Sequence, residues 1–267
     1  MIVSVLLSIL FGMIQGVTEF LPISSSGHLL LLHEWLDLEM TSVLSFDVAL
    51  HVGTLLAVVM YFRRDLWGMV RALLFSPRSE EGILAASVVI GTLPAAAAGW
   101  FLEDWITLVF RSPFIVAAML IQIGLVMIFA EWTHRATRPI STLTWSDAIL
   151  MGCAQAVALI PGTSRSGVTI IAGMARQIKR ADAARFSFYL SVPVIAGAGF
   201  KKGVDLLSIP LSFSEILLML IGILASFLTG IIVIQWLLSY LGRRSLIPFA
   251  IYRIALGIVV FAVLRLA

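Results

Sequence analysis

The chain has 267 residues, 60% of them hydrophobic and 12% charged, with a formal net charge of +3 and a mean hydropathy of +1.06. A soluble domain carries about 25% charged residues, and several windows reach the roughly 20 apolar residues needed to cross a bilayer. The composition therefore excludes a soluble protein and predicts a polytopic membrane protein, with no polar segment long enough for a soluble domain. The single cysteine, Cys153, excludes an internal disulfide and a thiolate zinc site. No lysine or arginine precedes Arg63, so the N-terminus does not read as a cleaved signal. No nucleic-acid partner is expected.

Residues 2–35 are apolar but interrupted at Pro22 and the serines after it. Ordinary spans are predicted at about 42–62, 82–102 and 113–131. A second broken region, 146–175, is interrupted at Pro161-Gly162, and spans at about 183–200, 213–239 and 248–265 complete the chain. Proline cannot continue a helix and pushes its predecessor out of the α region. Each broken region is thus predicted to be a helix–break–helix hairpin that enters the membrane and returns, with each arm short for a full crossing. Irregular backbone at that depth is tolerated inside protein or beside a watery cavity.

Loops 63–81, 132–145, 176–185 and 240–247 carry twelve arginines and lysines, against four (Arg111, Lys201, Lys202 and Arg265) on the opposite side. The positive-inside rule makes the first side cytoplasmic. Both termini and the mouth of the first hairpin then face outward.

An offset of 140 aligns the chain with itself. Gly12, Gln15, Ser24, Ser26 and Gly27 match Gly152, Gln155, Ser164, Ser166 and Gly167, and a Pro-Phe pair opens the last span of each half at Pro113 and Pro248. Each half, about 1–135 and 141–267 of a single transmembrane domain, holds one hairpin and three spans. Three is odd, so the second half is inverted. The fold class expected is an all-α polytopic membrane protein with an inverted-topology repeat, whose site lies near the midplane where the breaks meet.

The first break reads QGVTEFLPISSSGH and offers Gln15, Glu19, Ser24, Ser25, Ser26 and His28. Gln15 and Glu19 are four apart and share a helix face. The serines stand where a helix N-cap belongs. The second break, PGTSRSGVT, offers Gly162, Thr163, Ser164, Arg165 and Ser166 at another helix start. Free N–H groups at two helix ends, serine hydroxyls and a guanidinium fork suit a phosphate. The set expected to hold it is Ser24, Ser26, Gly162, Thr163, Ser164 and Ser166, with Arg165. A carboxylate beside phosphate implies either a base or a bridging hard cation, Mg²⁺ or Ca²⁺, on Glu19. His28 can carry a proton.

Plainer roles compete. Ser24, Ser26 and Ser166 serve equally as caps, and Gln155 reads as a helix–helix hydrogen bond. His33, Glu34, Asp37 and Glu39 read as a polar exit at the outer surface, Asp47 and His51 as lining or packing, and Arg253 as paired with a carboxylate or snorkelling. Glu19 and Arg165 are harder to set aside, since a charge at the bilayer centre costs about 2.5–3.5 kcal/mol. A structural ion pair between them is the alternative.

At these residues the chain closely resembles the undecaprenyl pyrophosphate phosphatase family, over essentially its whole length. The motifs are QGVTE for Glu/Gln-x-x-x-Glu, SSSGH for Ser-Ser-x-Gly-His and PGTSRSGVT for Pro-Gly-x-Ser-Arg-Ser-x-x-Thr. The resemblance implies hydrolysis of undecaprenyl pyrophosphate to the monophosphate, recycling the lipid carrier for peptidoglycan synthesis. It also implies divalent-metal dependence, an outward-facing site in the bacterial inner membrane, and a link to bacitracin resistance. Carried over by motif position, Glu19, Ser25, His28, Ser164, Arg165 and Ser166 are the working residues. Gln15 stands where many members have a glutamate; it either offers its carbonyl oxygen to the metal beside Glu19 or orients Glu19, and the catalytic acid is left to Glu19.

The expected chemistry is a phosphoryl transfer governed by positioning and electrostatics. Either Ser25 attacks with His28 as base, or water attacks with His28 or Glu19 activating it. A lipid-carrier transporter or flippase on the same repeat is the rival. A type-2 phosphatidic acid phosphatase relative is set aside, because SGVTIIAGMARQ after Arg165 has no histidine or aspartate. The oligomeric state, with a homodimer one option, is left open.

Overall fold

The computed structural model of the chain describes residues 2–36, 41–110, 112–135, 137–206 and 211–266. Asp37, Glu39 and Arg111 lie outside the described residues. Within them run α1 (Ile2–Phe20), α2 (Ser25–Trp35), α3 (Val43–Tyr61), α4 (Arg63–Phe75), α5 (Glu80–Phe101) and α6 (Glu103–Phe110). The chain continues through α7 (Pro113–Thr133), α8 (Trp145–Val157), α9 (Arg165–Ala175), α10 (Arg180–Leu206), α11 (Phe213–Leu241) and α12 (Ile247–Leu266).

Seven helices are long and apolar enough to cross a membrane: α1, α3, α5, α7, α10, α11 and α12. Six of them are the predicted spans. The seventh corrects the expectation that both arms of the first hairpin are short: α1 runs 19 residues, about 28 Å. Nothing before Pro22 breaks it, because Gly12 and Gly16 are packing positions. A methyl group on Gly12 would stand 2.5 Å from the Gly222 carbonyl oxygen, so α1 and α11 cross backbone to backbone. Gly152 of α8 meets the Gly91 carbonyl of α5 in the same way. Small residues at such crossings are how membrane helices gain contact without a hydrophobic driving force.

Helix α4 also departs from expectation, forming where a basic loop was predicted. It buries Met69 and Ala72 and exposes Trp67, Leu74 and Phe75 beside its arginines, the pattern of a helix lying in a membrane interface. The interior is apolar and aromatic, with Phe20, Phe186, Phe188, Met127 and Met151 fully buried. Many exposed Leu, Ile, Val and Phe side chains cover the outer surface, as a lipid-facing surface requires.

Ion pairs gather the loops at the arginine-rich end. Asp147, fully buried, bonds Arg138 at 2.8 Å and Arg176 at 2.6 Å. Glu131 pairs with Arg180 and accepts the Leu246 N–H. Three of the four loops grouped by the charge count therefore meet. At the opposite end Glu215 accepts the Thr41 N–H at 2.7 Å, and His33 meets Asp47 at 2.9 Å.

Candidate active site

The two breaks have nearly the same backbone. Ser24 caps α2 with φ 76° and ψ 95°, and Ser164 caps α9 with φ 75° and ψ 107°. Each cap hydroxyl accepts the N–H three residues on, from Gly27 at 3.3 Å and from Gly167 at 3.2 Å. Positive φ strains a side-chain-bearing residue by about 1–3 kcal/mol and persists where the surroundings over-determine it. Among the described non-glycine residues, only Gln177 shares it. Ser26 and Ser166 are not caps: each lies within 3.4 Å of its cap hydroxyl, and Ser166 also donates to the Leu21 carbonyl. Gly162, at φ 89°, passes so close to α7 that a methyl would meet the Val116 carbonyl oxygen at 2.7 Å. Thr163 is fully buried, and its hydroxyl has no protein partner.

Ser25 and Arg165 are the first residues of α2 and α9, one repeat apart, and both reach Glu19. Ser25 Oγ donates to Glu19 Oε2 at 2.7 Å, and Arg165 Nη2 donates to Oε1 at 2.8 Å. The ion pair that the sequence allowed as a structural element is therefore present, inside a larger cluster. Gln15 Nε2 donates to Oε2 at 3.2 Å, which orients the carboxylate. His51 Nε2 stands 3.6 Å from it. Arg165 is steadied by Ser187, through its carbonyl at 3.1 Å, and Ser187 lies 2.6 Å from Thr169. His51 sits eight residues into α3, about 12 Å, and Ser187 seven residues into α10, about 10 Å from the arginine-rich end. The cluster thus lies near the middle of the helical bundle.

His28 points elsewhere. Its Nδ1 lies 2.7 Å from the Ser24 carbonyl, which can only accept, so Nδ1 carries the hydrogen. Nε2 then accepts from Tyr252 Oη at 2.8 Å, and the two rings stack. Ser25 is hydrogen-bonded to Glu19 and not to His28, so the group placed to accept its proton is the carboxylate. Arg253 neither pairs with a carboxylate among the described residues nor snorkels. It is fully buried and donates to carbonyls of both breaks and of α7. Gln155 does not make the expected helix–helix bond; neither of its amide atoms has a protein partner.

Ser187, His51 and Tyr252 carry no motif in the sequence. A histidine on a span was a signal for His51; a half-exposed tyrosine near a chain end gives none.

A cavity of about 430 Å³ opens beside the cluster, lined by Ser26, His33, Glu34, Asp47 and His51 and by apolar residues including Leu29, Val48, Leu159 and Pro161. It offers polar groups at its walls and apolar surface around them. The protein's own donors do not make a cation cage. Among the described residues no three His, Cys, Asp or Glu side chains gather as a metal would need. One oxygen of Glu19 faces a guanidinium, and Gln15 turns its nitrogen to the carboxylate. Mg²⁺ is commonly held by one or two carboxylates completed by waters and phosphate oxygens, so Glu19 and the buried, unpartnered Gln15 Oε1 could share an ion only with oxygens from outside the protein.

A carboxylate, a hydroxyl and a guanidinium meet between two helix N-termini, within a bundle of membrane-length helices that defines an integral membrane protein. The chain belongs to the family described as bacitracin resistance protein BacA, whose model matches residues 8–259. It is 42% identical over 266 residues to the undecaprenyl-diphosphatase of Rubrobacter xylanophilus, covering 97% of this chain and 98% of that one. It is 45% identical over 255 residues to the undecaprenyl-diphosphatase of Alteromonas mediterranea, covering 94% and 95%. A third undecaprenyl-diphosphatase, from Moorella thermoacetica, is 43% identical over 263 residues, 97% and 98% of the two chains.

Proposed function

We propose that this protein is a membrane phosphatase that hydrolyses undecaprenyl pyrophosphate to undecaprenyl phosphate and inorganic phosphate, returning the lipid carrier to cell-wall synthesis. The undecaprenyl-diphosphatase relatives, matched along nearly the whole chain, support the activity. The observation that carries the mechanism is the convergence of Ser25 and Arg165 on one carboxylate at the junction of two helix N-termini.

The pyrophosphate enters from the cavity and competes with Glu19 for Arg165. Its oxygens are held by that guanidinium, by hydroxyls of Ser164, Ser166, Ser24 and Ser26, and by the free amides at the starts of α2 and α9. Drawing Arg165 onto the substrate leaves Glu19 a stronger base. Ser25 Oγ gives its proton to Glu19 and attacks the terminal phosphorus. The bond to the bridging oxygen breaks, and undecaprenyl phosphate leaves. Water then hydrolyses the phosphoserine to release inorganic phosphate. A Mg²⁺ or Ca²⁺ brought with the substrate would neutralise charge on the pyrophosphate, with Glu19 and Gln15 the residues placed to meet it.

The chain works as one transmembrane domain whose halves, about 1–135 and 141–267, are inverted repeats. The matching caps support this, and so do the packing partners. Helix α1 packs on α11 as α8 packs on α5, and α3 on α11 as α10 on α5, while α7 meets α12. Each hairpin thus lies against the other half. The gathering of basic loops at one end supports an orientation in the inner membrane with that end cytoplasmic and the cavity facing outward.

Phosphate release from undecaprenyl pyrophosphate by the purified protein in detergent, with and without Mg²⁺, tests the reading where transport has no meaning. Wild type is expected to release phosphate, and Arg165→Ala to lose about 10³-fold or more in kcat/KM. Intact substrate after incubation with wild type and Mg²⁺ sinks the proposal.

A further inference from the structure

Among the described residues Arg253 is the largest fully buried side chain and has no carboxylate partner, and a buried guanidinium so placed demands a reason. All three of its nitrogens are engaged, and every acceptor is a main-chain carbonyl. Nη1 reaches the Pro22 oxygen at 3.1 Å; Nη2 reaches Gly162 at 2.8 Å, Thr163 at 3.0 Å and Met119 at 3.3 Å; Nε reaches Leu120 at 3.4 Å. Pro22 stands two residues before the Ser24 cap, and Thr163 immediately before the Ser164 cap. One side chain therefore fastens the two strained turns to each other and to α7.

The hold has a direction. In a trans peptide the N–H points opposite to the carbonyl, so drawing the Thr163 carbonyl onto Arg253 turns the Ser164 N–H away from it, as an anion at the break requires. Tyr252, the preceding residue, serves the first break: its hydroxyl bonds His28 Nε2, while Ser24 holds Nδ1, so the imidazole is fixed in tautomer and orientation.

The repeat shows that this pair is not part of the duplicated scaffold. Aligning the Pro-Phe pairs at Pro113 and Pro248 sets Tyr252 and Arg253 opposite Ala117 and Ala118. Helix α7 has small residues there, with Ala117 fully buried, while α12 carries the two polar side chains that reach the breaks. Pseudo-symmetry fails where one copy has acquired a task.

We propose that Tyr252 and Arg253 are positioning residues of the phosphatase site. Arg253 sets the spacing and amide orientation of the two breaks, and Tyr252 sets the His28 ring. The proposal rests on pyrophosphate hydrolysis at this site, and wild-type turnover measured beside the variants separates its failure from that of the hydrolysis reading.

The test is steady-state phosphate release by Tyr252→Phe and Arg253→Lys in detergent, with thermal melting of each. Lysine keeps the charge but cannot bond five carbonyls, and phenylalanine keeps the ring but not the hydroxyl. Arg253→Lys is expected to lose about 100-fold in kcat, the scale of a 1 Å misplacement, with KM within about threefold. Tyr252→Phe is expected to lose about tenfold in kcat at unchanged KM. A role confined to stability would lower the melting temperature and leave the kcat of the folded fraction near wild type. That result, or both variants within twofold of the wild-type kcat, overturns the proposal. If Arg253→Lys does not accumulate, Tyr252→Phe, which removes one oxygen, decides alone by the same twofold criterion.

Discussion

The two breaks share a backbone and divide the chemistry. At the first position of the helix after the cap, one break has Ser25 and the other Arg165. The fourth residue of α2 is His28, where α9 has Val168, and Glu19 corresponds to Leu159, which lines the cavity. The duplicated elements are the ones that present free amides: the positive-φ serine cap, the cap hydroxyl on the third N–H, and the following hydroxyl. The elements that differ are the ones that react or carry charge. A backbone that holds anions can be built twice; an acid–base group is needed once. In the proposed mechanism the chemistry therefore sits across the join, where Ser25 and Arg165 meet on Glu19.

The most severe way to break this division is Glu19→Gln. The amide keeps the shape and can still meet Ser25, but it cannot take a proton. A fall in kcat of about 10³–10⁴-fold, near the upper range for general base catalysis, is expected in phosphate-release assays, with KM little changed. Activity within tenfold of wild type would move the base to the second break or to His51, and the division of labour would fail.

Next in size is Ser25→Ala, which removes the hydroxyl 2.7 Å from Glu19 and leaves the cap and both helix ends in place. A loss of about 10²–10³-fold in kcat is expected, together with disappearance of a phosphoserine that wild type accumulates after rapid acid quenching. Turnover within tenfold, or a wild type that never shows phosphoserine, would hand the attack to a water activated by Glu19.

The legible part of the molecule was its periodic and its polar part. Six spans followed from apolar windows, and the two breaks from Pro22 and Pro161-Gly162, because proline and a run of hydroxyls have local meaning. The fourteen residues of QGVTEFLPISSSGH contain three of the four side chains at the Glu19 cluster's core, Gln15, Glu19 and Ser25; Arg165 comes from the other break. What escaped was tertiary. The backbone-to-backbone crossing of α1 and α11, with Gly12 against the Gly222 carbonyl, is reported by no window of sequence. Helix α4 was hidden in a count of arginines, although its apolar and basic faces alternate. Arg253 neither pairs with a carboxylate among the described residues nor snorkels, because carbonyls exposed by breaks 90 and 231 residues away in sequence take its donors. His28 stands three residues after Ser25 in sequence, but that step along α2 turns it toward α12 and Tyr252.

The smallest expected effects test the shared half of the comparison. Ser24→Ala and Ser164→Ala each remove a cap hydroxyl that satisfies a glycine N–H, at a cost of about 1 kcal/mol. That lowers the melting temperature by about 2–4 °C in a chain of this size. Ser24→Gly and Ser164→Gly lose the same bond but relieve the positive φ, which is worth about 1 kcal/mol in the opposite sense, so their melting temperatures should stay near that of wild type. The order alanine below glycine is the reverse of the usual ranking inside a helix, and it follows from φ values of 76° and 75° alone. Because the two caps are alike in angle and in partner, the pair of shifts should match between the breaks even as Glu19→Gln and Arg165→Ala show how unlike their side chains are. A shift at one cap and none at the other would mean that the two turns carry different strain, and that the backbone has diverged along with the chemistry.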